Sequence, residues 1–152
     1  MEISRIVQEI QLVLAPAVMI SSSALLLLGF QTKFSNLASR FRALNHEMRE
    51  LAKIPQREPW QEKRHENLTH QTAHLFSRAT HVKNAILCTY GAIILFLCTS
   101  VLLFLNIRSV ISLSPWIVLT FMAGLLFELA AGVVMMVEVA LAFEVIRIES
   151  RG

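Results

Sequence analysis

Aspartate is absent from this chain, and all eleven acidic residues are Glu. Asp is the poorer helix former, so its absence suits a chain that is helical almost throughout. Charge of either sign is scarce. Charged residues are 16% of the 152, against roughly 25% in an average soluble domain. Hydrophobic residues reach 55% and mean hydropathy is +0.56, so a soluble globular fold would lack the polar surface to cover its core. Cysteine is limited to Cys88 and Cys98. On one helix that separation is ~15 Å, too far for a disulfide, and both read as small buried apolar residues. There is no Gly-rich phosphate loop, nucleophile elbow or paired-Cys metal spacing, so neither an enzyme nor a cofactor is expected. The Lys and Arg residues are spread along a helical segment, which argues against nucleic acid as a partner.

What the chain has instead is three apolar runs. The first is Leu12 to Phe30, with no charge from Gln11 to Thr32 and with Pro16 near its start. The second is Ala85 to Ile107. The third begins at Pro115 and Trp116 and continues to about Ile146, interrupted by Glu128. Crossing a bilayer core takes roughly 20 apolar residues, so three spans are expected. A signal peptide is the alternative for the first run, but Glu2, Arg5 and Glu9 deny it the net positive flank a signal needs. Ser114 suits a helix cap, Pro115 a first turn and Trp116 an aromatic belt at the interface.

The charges set the orientation. Ten of the fourteen Lys and Arg residues lie between Lys33 and Lys83, whereas the loop between the second and third runs has only Arg108. By the positive-inside rule the N-terminus is outside and the C-terminus, with Arg147 and Arg151, is cytoplasmic. The expected organisation is a single membrane domain, 1–152. Within it, 1–10 lies outside, 11–32 is the first span, 33–84 is cytoplasmic with a turn at 54–59, and 85–107 is the second span. An outside loop at 108–115, a third span with its inner extension at 116–146 and a cytoplasmic tail at 147–152 complete it.

The cytoplasmic segment has its own periodicity. Phe34, Leu37, Phe41, Leu44, Met48 and Leu51 are spaced 3, 4, 3, 4, 3, an a/d seam. Pro55 and Pro59 then end the helix and turn the chain. Leu68, Thr72, Leu75, Ala79, Val82 and Ile86 repeat the pattern on the way back. The pair reads as an antiparallel, coiled-coil-like helical hairpin continuing the first and second spans and reaching roughly 35 Å from the membrane. Trp60 falls at its tip, packing on the turn or contacting a partner.

Glu128 is the residue that chemistry would single out. It lies ~18 Å along the helix from Trp116, near the bilayer midplane. An intramembrane carboxylate is costly and is a functional candidate by default. Phe121, Gly124, Glu128, Ala131, Met135, Glu138, Ala142 and Val145 share one face at a 3.5-residue repeat. Small residues and two carboxylates on one face can line an ion path between subunits, or Glu128 can hydrogen-bond a neighbouring helix, with Ser21, Ser22 and Ser23 as acceptors or donors. Gln11 and Ser22, with Ala15 and Gly29, form a polar stripe on the first span that suits close helix packing or a pore lining. Glu66, His70, His74 and His81 fall roughly on one helical face. They are candidates for metal binding or pH sensing, with a plain solvated face as the simpler reading. Lys33, Arg78 and Lys83 stand where anionic headgroups would be.

The start of the chain carries a resemblance. Ile6-Val7-Gln8, Leu12-Val13-Leu14-Ala15-Pro16, the small run Ser21-Ser22-Ser23-Ala24 and the basic stretch from Lys33 through Arg40 and Arg42 resemble the bacterial membrane proteins catalogued as domain of unknown function 2721. The family pattern often has Gly where this chain has Ser. It also has Asp before the first arginine, where Ser39 stands here. The resemblance implies three spans and a bacterial origin, and it implies no activity; the expected location is the bacterial inner membrane.

The expected fold is therefore all-α: three transmembrane helices with a helical hairpin between the first and second. The expected partners are the lipid bilayer, further copies in a homo-oligomer that shields Glu128, and a cytoplasmic protein at the hairpin. Two functions follow, an oligomeric ion channel lined by Glu128 and Glu138, or a non-conducting scaffold or regulator whose hairpin docks a partner.

Overall fold

A computed structural model describes the backbone of residues 2–54, 58–108 and 113–149, and the side chains of 14–54, 58–107 and 113–143. The described residues form three helices: α1 (Glu2–Ala52), α2 (Pro59–Arg108) and α3 (Ser114–Glu149). No strand occurs among them. Each helix is long and apolar enough to cross a membrane. α1 passes from the first apolar run into the basic segment without a break, and α2 returns the same way. Pro16 lies inside α1, where it removes one i→i−4 hydrogen bond, and the helix continues past it.

The helix starts follow their sequence cues. Pro59 is the first residue of α2, where its missing N–H costs nothing. The Gln61 side chain accepts from the Glu58 backbone N–H at 3.0 Å, half of a capping box. Trp60 is exposed, and its indole N–H donates to Glu58. Pro55 lies outside the described residues. At the other connection, Asn106 Oδ1 accepts from the Leu113 N–H at 2.8 Å. The Leu113 carbonyl then takes the N–H groups of Trp116 and Ile117, opening α3.

α2 is the central helix, packed against both α1 and α3. Gln31 donates to the Tyr90 hydroxyl, the rings of Phe41 and Phe76 meet, and the hydroxyls of Thr69 and Thr72 approach Met48. One number rises as the other falls, so α1 and α2 run antiparallel. The same holds for α2 and α3, where Phe96 meets Phe121, Gly91 lies against Phe127, and the hydroxyls of Thr99 and Thr120 are 3.0 Å apart.

Burial shows why α2 is central. Val82, Ala85, Thr89, Ala92, Phe96, Thr99 and Leu103 are all buried, spaced 3, 4, 3, 4, 3, 4. This 3.5-residue seam extends the one that begins at Leu68 in the basic segment. On α1 the buried positions Pro16, Ser23 and Leu37 lie on a seven-residue spacing. Phe34 steps off the expected seam and is exposed, while Lys33 beside it is half-buried. Cys88 is half-buried and Cys98 exposed, contrary to the buried reading. Cys98 falls on the opposite side of α2 from the seam, among large exposed apolar residues such as Ile94 and Val101.

Candidate functional site

Three charges, one from each helix, meet at one place. Glu138 of α3 is completely buried. Arg78 of α2 donates to its Oε1 from Nε at 3.1 Å, and Arg78 Nη2 lies 3.0 Å from the same oxygen. Lys33 of α1 forms an ion pair with the other oxygen, Oε2. The carboxylate is thus divided between two cations. The side chains of Lys33 and Arg78 are 29% and 21% exposed, so the cations keep partial contact with solvent while the anion does not.

The position of the cluster follows from the sequence. Lys33 is the first charge after the uncharged stretch that begins at Ile10. Glu138 lies 22 residues beyond Trp116, ~33 Å along α3 and about the thickness of a bilayer core. The cluster therefore marks the end of the apolar spans next to the basic segment. Burying an anion there without cations would cost several kcal/mol, and the two partners offset that cost.

Glu128 is a different case. Both of its carboxylate oxygens are covered by the chain itself, and neither has a hydrogen-bond partner among the described residues. Ser23 Oγ is likewise buried without a partner. Gly124 on the same face lies against the ring of Phe96, and Ala131 is buried. The α3 seam thus packs on the protein's own helices. Ser22, by contrast, is exposed and donates back to the Val18 carbonyl at 3.0 Å. Ala15 and Gly29 are exposed beside it, so this stripe of α1 faces away from α2 and α3. The side chain of Gln11 lies outside the described residues.

The histidines do not converge. His70 and His74 make an edge-to-face ring contact at 4.5 Å, while His81 Nδ1 turns to the Ser77 carbonyl of its own helix. Among the described residues no three His, Cys, Asp or Glu side chains are arranged to hold a metal ion. Glu66 and His70 line an open groove with Glu62, His65, Thr69 and Ala73. Lys83 is exposed and stands apart from the Glu138 cluster. Further along the basic segment, a hydrogen bond and the positive charge of Lys53 hold Glu50 below the usual glutamate pKa range.

Sequence reading named Lys33, Arg78 and Glu138 but did not join them. The available signal was depth: one charge on each helix at the same end of the spans. Arg78 also adjoins Ala79, a seam position, which turns it toward the neighbouring helices.

No curated protein and no solved structure matches the chain. A family pattern matches residues 13–148, nearly the whole length, and the chain belongs to the family described as protein of unknown function DUF2721.

Proposed function

We propose that this multi-pass protein is a non-enzymatic, non-conducting scaffold or regulator of the bacterial inner membrane. Its N-terminus lies outside and its C-terminus in the cytoplasm. Residues 33–84 form a cytoplasmic, coiled-coil-like helical hairpin that docks a soluble protein partner. The observation that carries this reading is the burial of Glu138 between Lys33 and Arg78 of the same chain. A carboxylate neutralised within its own protomer does not attract ions to a lumen. It instead ties the base of the hairpin to the third span, so a load at the tip reaches all three membrane helices. The exposed small-residue stripe of Ala15, Ser22 and Gly29 supports association of α1 with further copies.

The test is ion flux through liposomes holding the purified protein. The scaffold reading expects flux equal to that of empty liposomes for both wild type and Glu128→Gln. A conducting protein is the second reading, favoured by the unpartnered carboxyl group of Glu128 in mid-membrane. It requires the helices to part around Glu128. Flux present in wild type and lost in Glu128→Gln would establish it and remove the first.

A further inference from the structure

Lys33 and Arg78 do more than hold Glu138. Both also line a groove of ≈ 510 Å³, together with Asn36, Leu37, Ser39 and Arg40. No acidic side chain lines it. Arg40 is exposed and makes no ion pair among the described residues. Three cations therefore line the groove, and the one carboxylate that pairs with any of them, Glu138, holds Lys33 and Arg78 and is not part of the lining. The lining side chains carry net positive charge.

The lining has the chemistry of an anion site. Two guanidinium groups and an ammonium supply charge-assisted donors. The amide of Asn36 and the hydroxyl of Ser39 supply neutral ones. Leu37, which is buried, forms an apolar floor. The volume falls within the roughly 300–1,000 Å³ of small-molecule clefts. Position adds a second argument. Lys33 immediately follows the uncharged run ending at Thr32. In a bilayer crossed by that run, the groove opens at the level of the headgroups, where a phosphate is always near.

We infer that the groove formed by Lys33, Asn36, Ser39, Arg40 and Arg78 binds a phosphate group at the membrane boundary. The phosphate is that of an anionic phospholipid headgroup or a soluble phosphate. The inference stands independently of whether the protein conducts. Arg40 is the residue that tests it, because it is exposed and outside the Glu138 cluster, so its replacement leaves the helix packing intact.

The experiment uses the purified full chain in neutral detergent, titrated with phosphatidylglycerol, phosphatidylcholine or inorganic phosphate. Binding is read by native mass spectrometry and by the thermal unfolding midpoint. Wild type is expected to bind phosphatidylglycerol saturably and to show no saturable response to phosphatidylcholine. Arg40→Gln should weaken that binding about fivefold, the effect of one basic residue near an anionic surface. Asn36→Ala should weaken it in the same direction. Lys63→Gln removes an equal charge far along the basic segment and should change nothing. A saturable response to inorganic phosphate alone, weakened by Arg40→Gln, would keep the site and assign it to soluble phosphate. Equal weakening by Arg40→Gln and Lys63→Gln would overturn the site in favour of diffuse charge attraction. Arg40→Gln binding like wild type, or wild type responding to neither lipid nor phosphate, would overturn it as well.

Discussion

Arg78 places two guanidinium nitrogens on a single oxygen of Glu138, Nε at 3.1 Å and Nη2 at 3.0 Å from Oε1. That leaves Oε2 to Lys33. The arrangement joins three helices through one side chain and makes the consequences of removing each partner unequal.

Removing both cations strands a fully buried anion. The double variant Lys33→Met with Arg78→Met should lose about 3–5 kcal/mol, the range for an orphaned buried charge. Each single variant leaves one cation in place and should cost less than half of that. Glu138→Gln should also cost less, because both cations are partly exposed and can turn to water. Unfolding in mild detergent with added denaturant measures the order. An additive pair of single variants would contradict the shared-carboxylate picture.

Gly124 and Gly91 make unequal predictions from similar geometry. A Cβ at Gly124 would stand 2.6 Å from Cε1 of Phe96, and one at Gly91 would stand 2.8 Å from Cδ1 of Phe127. Phe96 is fully buried and has nowhere to go, whereas Phe127 is 46% exposed and can swing outward. Gly124→Ala should destabilise by about 1–3 kcal/mol through overpacking. Gly91→Ala should be milder. Gly132→Ala, with nothing within 4 Å, should stabilise by up to about 1 kcal/mol through helix propensity. Melting temperatures of the three variants decide it.

Glu128→Leu should be neutral or stabilising. The carboxyl group is buried without a partner, and such a group carries a desolvation penalty of about 1–3 kcal/mol that an apolar side chain removes. A clear loss of stability in this variant would mean that Glu128 bonds a neighbour and serves as glue. Thermal unfolding of Glu128→Leu beside Glu128→Gln separates the two.

In the basic segment, apolar burial should outweigh ion pairing. Leu68 is completely buried, and Leu68→Ala should cost about 2–5 kcal/mol locally. Arg64 and Glu47 are paired at 2.8 Å but are 47% and 41% exposed, so Glu47→Gln should cost less than about 1 kcal/mol. Amide hydrogen exchange across residues 37–52 and 60–82 reads both. Comparable deprotection in the two variants would show the ion pair to be stronger than its exposure allows.

The sequence by itself determined where helices lie and which residues share a face. Uncharged runs of sufficient length must pair their backbone groups internally in lipid, which only a helix does within one segment. The seven-residue spacing of Gly124, Ala131 and Glu138 is likewise readable, and those residues are all buried. What periodicity cannot specify is which helix covers a given face. Only the tertiary structure decided that the α3 seam turns toward the other helices of the chain, that Ser23 rather than Ser22 is the buried serine, and that α2 lies between the others. The reason is that pairing depends on register between distant segments. Register is set where Phe96 crosses Gly124 and where Phe127 crosses Gly91, contacts between residues more than twenty-five apart. That same register carries Arg78 across sixty residues of chain to Glu138, and it turns three separate charges into one site.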